Sequence, residues 1–438
     1  MWGTENAHFT GQFHCATVRL GTAAPHREAQ LLRDACVPKA PLWERVEWRF
    51  MRLHERGDPQ FGVWNRGVGL LPSATRFKVT AMNLSPLANL NSRFGGIWAA
   101  IGNAVTFSEN QRKMLRDLIC GNGDELRPDA NFVVFGSLAR GESTAGSDVD
   151  WSLLIDGQTD PADMEAALRI EKLLRDGGWK HPGPSGIFGS LAFSHSLVHD
   201  IGGGADNYVN TTRRMLLLLE SRAIGDTSVR DRVIRALLAR YLEQDTHFHP
   251  SHGSRSFVPR FLLNDLVRYW RTIAVDYANK TREPDGTKWA VRNIKLRMSR
   301  KLIFVAGLLM CFLCQLEQER LAAGKDLFGQ SGASNAQFID FLAEIVNLTP
   351  LDLLARVASA YDDDTIHLLF DSYDRFLATM DDPEQRKHLE KLNYQQSRED
   401  GQFNALRAVS KDFQEGLRRL FFECDPHLTA FSQIYAIF

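Results

Sequence analysis

Residues 132–156 constrain this chain more than any other stretch. An apolar run, Phe132 to Phe135, leads into Gly136-Ser137; a loop rich in small residues follows; Asp148 and Asp150 then stand two apart before a second apolar run, Trp151 to Ile155. Two short apolar runs bounded by turn residues predict two buried strands. Side chains at i and i+2 of extended chain share one face. Two carboxylates held there repel each other unless a cation lies between them. The spacing therefore suits a hard divalent ion bound together with phosphates.

The pattern is Gly136-Ser137, Arg140-Gly141, Ser147-Asp148 and Asp150 at these spacings. It resembles the signature of the DNA polymerase β-like nucleotidyltransferase superfamily. A second stretch, Leu218-Leu219-Glu220-Ser221-Arg222-Ala223-Ile224-Gly225-Asp226, resembles the helix end after the catalytic sheet in the uridylyltransferases that modify the PII signalling protein. The HD phosphohydrolase set of those enzymes is not found here: the His-Asp pair, His199-Asp200, falls inside the nucleotidyltransferase region.

The resemblance implies an α+β fold, with a small mixed sheet and helices on one side, followed by a mostly helical C-terminal region. It implies transfer of a nucleoside monophosphate from an NTP to a hydroxyl, with Mg²⁺ (or Mn²⁺) as cofactor. Asp148 and Asp150 are the implied metal ligands, and a third acid usually joins them. Asp200, read on a strand over 191–201, is the first candidate; Asp206 is the alternative. Gly136 and Ser137 are the implied phosphate nest. Arg140 either contacts phosphate or buttresses the loop, and Ser147 either orients Asp148 or contacts phosphate.

Local signals organise the rest. Residues 1–40 show no sustained period and read as an extension, while 41–105 carry mixed patterns with no function assigned. Ser108 with Gln111 reads as a capping box opening a helix, and Asp160-Pro161 as a helix start. From about residue 206 helical patterns run almost to the end, expected over 227–244, 257–278, 287–317, 335–347, 350–360, 364–380 and 403–422. The simplest division is an extension over 1–105, a catalytic domain over 106–226 and a helical domain over 227–438.

A formal net charge of −1 favours no particular partner, but residues 254–301 carry twelve Lys and Arg against four acids. Lys288, Arg292 and Lys295 are spaced to share one helix face and read as phosphate-facing. Interleaved Tyr269, Trp270, Tyr277 and Trp289 suit either an RNA face or plain core. The competing reading is a helical pair with internal salt bridges.

Six scattered cysteines and a polar N-terminus without an apolar signal core read as a cytosolic protein. The apolar run Leu302 to Leu313, containing Cys311 and Cys314, is short for a membrane span and reads as a buried helix. Arg240 with His247 loosely matches an element of HEPN ribonucleases, and His247, His249 and His252 read as loop histidines. The expected partners are an NTP and a protein or RNA acceptor, with no membrane.

Overall fold

A computed structural model describes residues 84–121, 126–183, 186–243, 257–280, 288–320 and 335–435. The readings of residues 1–83 and of the histidines at 247, 249 and 252 lie outside the described residues.

The two apolar runs form β1 (Ala130–Phe135) and β2 (Trp151–Ile155), both wholly buried. They pair antiparallel, Val134 opposite Trp151. β3 (Ser190–Phe193) runs parallel to β2, and β4 (Ser221–Ala223) antiparallel to β1, giving the order β3-β2-β1-β4. This is the expected small mixed sheet in an α+β fold.

Side-chain alternation along the strands divides the interior. Phe132, Val134, Trp151, Leu153 and Ile155 pack with Leu115, Ile119, Ala167 and Ile170 on one face. Val133, Phe135 and Leu154 join the large helical core on the other. Helices were expected on one side of the sheet; they cover both, because every β1 residue is apolar or buried and neither face is left for water.

The helix containing Ser108 begins earlier than its capping box suggested. α1 spans Pro86–Arg93 and α2 spans Ala99–Cys120. Ser108 lies inside α2, fully buried, where its hydroxyl donates to the Ala104 carbonyl and accepts from the Ser143 amide. Distant acids set the start of α2 instead: the Ile101 amide donates to Asp374 and the Trp98 indole to Asp371. No local signal carries those partners.

α3 (Gly136–Arg140) follows β1, and α4 (Pro161–Asp176) is capped as expected, Asp160 accepting from the Ala162 amide at 2.9 Å. The strand read over 191–201 is corrected: the chain leaves β3 after Phe193 into α5 (Ser194–His199), and Asp200 caps that helix. α6 (Tyr208–Leu219), α7 (Ser228–Glu243) and α8 (Arg260–Lys280) follow. α9 (Trp289–Lys295), a π turn (Leu296–Arg300) and α10 (Lys301–Arg320) make one continuous helix. Its stretch Trp289–Gln318 is long and apolar enough to cross a membrane by length and composition, but 78% of its most apolar window is buried inside the protein. Cys311 and Cys314 are fully buried there, and burial pushes both thiols far up.

Then come α11 (Ala336–Val346), α12 (Pro350–Ala358), α13 (Asp363–Asp381), α14 (Pro383–Lys391), α15 (Tyr394–Glu399), α16 (Gly401–Phe422) and α17 (Pro426–Tyr435). α14, α15 and α17 were not foreseen. α14 and α15 are short, and α14 is mostly charged, so neither carries a strong apolar period.

Asp206 sits at the root of α6, in an ion-pair cluster. Arg214 pairs with it at 2.9 Å and Arg268 at 2.7 Å, while Arg214 also reaches Asp265 at 2.8 Å. Burial alone would raise the Asp206 carboxyl, but hydrogen bonds from Arg214 and Arg268 outweigh it and push the carboxyl down to about 2. A carboxyl depressed in the fold stabilises it above the unfolded pKa of about 4 and loses that contribution as pH falls towards 2. Thermal melts of Asp206→Asn against the parent should therefore differ at pH 6 and converge between pH 4 and 2. Curves that stay parallel through that window remove Asp206 from the acid response.

Candidate functional site

The site forms where β1 ends. The Phe135 amide donates to the Asp150 carbonyl at 2.8 Å, and Phe135 also faces Ser221 at the head of β4. The sheet therefore gathers Gly136, Asp150 and Glu220 at one end. Asp148 and Asp150 are half-buried, while Val149 between them is buried in the core.

Gly136 has φ +66°, and a Cβ built there would lie 2.8 Å from Asp150 Oδ2. Only glycine meets both demands, left-handed backbone and a carboxylate in van der Waals range. Gly136→Ala should cost about 1–2 kcal/mol in backbone strain. It should also push the Asp150 carboxylate aside, and displacements near 1 Å at a reacting centre cost about a hundredfold in rate. Urea denaturation and a transfer assay on the same sample check both; unchanged stability would show that the turn relaxes freely.

The loop after α3 closes on itself. Ser147 Oγ accepts from the Thr144 amide at 3.0 Å, a turn bond that shapes the approach to Asp148. Lys180 brackets Asp148: its carbonyl accepts from the Val149 amide at 2.9 Å and its amine pairs with Asp148 Oδ1 at 2.6 Å. Lys180 was not singled out in the sequence, where nothing separates it from other exposed lysines.

Arg140 is buried between Glu142 and Glu220, with side-chain exposures of 8%, 1% and 2%. Burial would lower its pKa, but the two carboxylates hold it well above the ordinary arginine value. The pairs join α3 to the start of β4. Glu220 is within electrostatic reach of Asp150, but Arg140 pairs with it.

Asp150 itself is pushed up to about 6 by burial first, with Glu220 and Asp148 adding repulsion and Arg300 pulling the other way. Asp200 is not brought to the pair. β2 and β3 are parallel, with Ile155 opposite Phe193, so the chain leaves β3 at the end remote from the acids before reaching Asp200. Asp206 is occupied by Arg214 and Arg268.

Among the described residues, no three His, Cys, Asp or Glu side chains gather to hold an ion. Asp148 and Asp150 nevertheless supply hard oxygen donors, the kind Mg²⁺ takes while completing its shell from substrate phosphates and water. The donor set fits that mode and not an all-protein cage.

Of the three basic residues read as phosphate-facing, Lys295 is placed within electrostatic reach of Asp148, Arg300 and Arg386. Lys288 caps α9 with φ 64° and donates its amide to the Glu390 carbonyl. Arg292 is half-buried on α9. The aromatics of this region pack inward: Tyr269 is buried, Trp270 stacks on Phe304, and Trp289 meets Tyr394 and Phe403. Arg268 belongs to the Asp206 cluster. A surface cavity of about 730 Å³ lies on the outer side of α8, lined by Tyr208, Asn264, Arg271 and Val275. It contains neither acid, so the carboxylate chemistry locates the site and the cavity does not.

The sheet, the glycine turn and the two acids lie within one stretch of the chain. Residues 121–180 match the family model described as a nucleotidyltransferase domain. The match covers β1, α3, the acid loop, β2 and α4, and it supports the polymerase β-like superfamily for that stretch and nucleotidyl transfer in general. No curated protein matches the chain.

Proposed function

We propose that this protein is a metal-dependent nucleotidyltransferase, moving NMP from an NTP to a hydroxyl of a protein or RNA. The observation that carries this reading is Asp150, two residues after Asp148, set against the left-handed Gly136 turn. The kinship of 206–226 with PII-modifying enzymes belongs to this proposal too, since the family match ends at residue 180.

In the reaction, the acceptor oxygen bonds to the α-phosphorus as the bond to the β-bridging oxygen breaks. Pyrophosphate leaves and the acceptor proton passes to solvent. Asp148 and Asp150 would hold Mg²⁺ (or Mn²⁺), which when bound supplies Lewis-acid stabilisation of the phosphoryl oxygens. Gly136 lets the backbone approach the phosphates closely. The Ser147 turn and Lys180 hold the acid loop in place, and Lys295 faces the incoming charge. Arg140 keeps α3 and β4 joined beneath the acids.

Incubation with each α-labelled NTP, Mg²⁺ and cell lysate tests the proposal. Label in a protein band or in RNA identifies the acceptor class. Nucleotide binding without transfer to any acceptor would turn the reading to a nucleotide sensor; transfer confined to one cognate partner or tRNA would turn it to a toxin–antitoxin component.

A further inference from the structure

Lys180 meets the acid loop through both its backbone and its side chain, and the contacts differ in kind. Its carbonyl accepts from the Val149 amide at 2.9 Å, which fixes the chain between Asp148 and Asp150. Its amine donates to the Gly146 carbonyl at 3.2 Å and pairs with Asp148 Oδ1 at 2.6 Å. That oxygen is covered, yet no donor among the described residues makes a hydrogen bond to it. The ammonium therefore meets Oδ1 as a charge, off the directions that a hydrogen bond requires.

The loop is held without the amine. The Thr144 amide donates to Ser147 Oγ at 3.0 Å, and the Ser147 amide returns a bond to the Thr144 carbonyl at 2.9 Å. Arg386, on α14, donates from Nη1 to Thr144 Oγ1 at 3.1 Å. Its guanidinium covers Gly146, where a Cβ would sit 2.8 Å from Cζ. What the amine supplies is charge. Asp148 and Asp150 repel each other, and neighbouring carboxylates are costly without a cation. The pair also opens easily, because the Lys180 and Asp148 side chains are 56% and 42% exposed. An ammonium is a compact, strongly hydrated charge on a flexible stem. It can return to water here without stranding a buried charge.

We propose that Lys180 is a tethered counter-ion for Asp148: its ammonium neutralises the carboxylate until a divalent cation is bound there, and then swings out to solvent. Lys180 thereby sets the divalent-ion concentration at which the site fills. The assignment rests on the reading of Asp148 and Asp150 as metal ligands. A bracing lysine and a displaceable one differ in sign: losing a brace weakens ion binding, whereas losing a competitor strengthens it.

The test titrates the full chain with Mn²⁺, without nucleotide, and follows the free ion by EPR at low ionic strength, where exposed charges are least screened. Lys180→Met is expected to bind Mn²⁺ about two- to fivefold more tightly, the range a half-exposed ion pair allows. Lys180→Arg keeps the cation and should bind no more tightly than the parent. Lys172→Met removes the same charge from an exposed position on α4 and should match the parent. Matched thermal midpoints confirm that the variants fold alike. Unchanged or weaker binding by Lys180→Met overturns the counter-ion, as does an equal gain from Lys172→Met or a parent and variant that both fail to bind Mn²⁺. Tighter binding by Lys180→Met without NMP transfer from any NTP upholds the counter-ion and defeats only the nucleotidyltransferase reading. Transfer by the parent, with equal Mn²⁺ affinity in Lys180→Met, does the reverse.

Discussion

The Asp148→Ala, Asp150→Ala double variant is expected to lose at least about a thousandfold in nucleotidyl transfer, about 4 kcal/mol of transition-state stabilisation. Both proposed hard-oxygen ligands vanish, and among the described residues no group of three or more His, Cys, Asp or Glu side chains gathers to replace them. The same variant should melt no lower than its parent at pH 8. Asp150 is raised to about 6 by burial and by Glu220 and Asp148. A carboxyl raised in the fold above its unfolded value of about 4 subtracts stability once pH exceeds both values. The burden fades as pH falls from 6 towards 4, so any gain from the substitution should shrink over that window. The Asp148–Lys180 pair is half exposed and contributes little against this. Transfer retained within tenfold of the parent would take the paired acids out of the chemistry.

Arg140→Met should be the most damaging single change for stability, at about 3–5 kcal/mol by chemical denaturation. It leaves Glu142 and Glu220 charged, buried and without their shared cation. Adding Glu142→Gln and Glu220→Gln should restore most of the loss, because replacing a whole buried ionic cluster is far cheaper than removing one member. The substitution also separates the two roles open to Arg140 from the sequence. A phosphate contact would raise KM and leave the denaturation midpoint in place; a buttress lowers the midpoint first.

Legibility followed the range of the forces involved. β1 and β2 were readable because six and five consecutive buried residues sit between turn formers. The start of α4 was readable because Asp160 caps it from two residues away. α2 was misread because Ser108 imitates a cap while bonding instead to Ala104 and Ser143. β3 was overextended because Leu197, Val198 and Ile201 are apolar in the manner of a strand, yet bury themselves from a short helix and its exit. Lys288, Arg292 and Lys295 looked equivalent as a helical series. Lys288 turned out to stand outside the helix in left-handed conformation, and Lys295 within electrostatic reach of Asp148.

The order of residues was enough to specify the paired acids, the glycine turn before them and the two strands that hold them. Each depends on neighbours a few positions apart, and backbone periodicity acts over that distance. The surroundings of those acids came from packing. Thr144 meets Arg386 across 242 positions, and Arg140 meets Glu220 across 80. Such contacts exist because burying both sheet faces forces the later helices over the acid loop, and no local pattern encodes where a charge will be carried once the chain has closed.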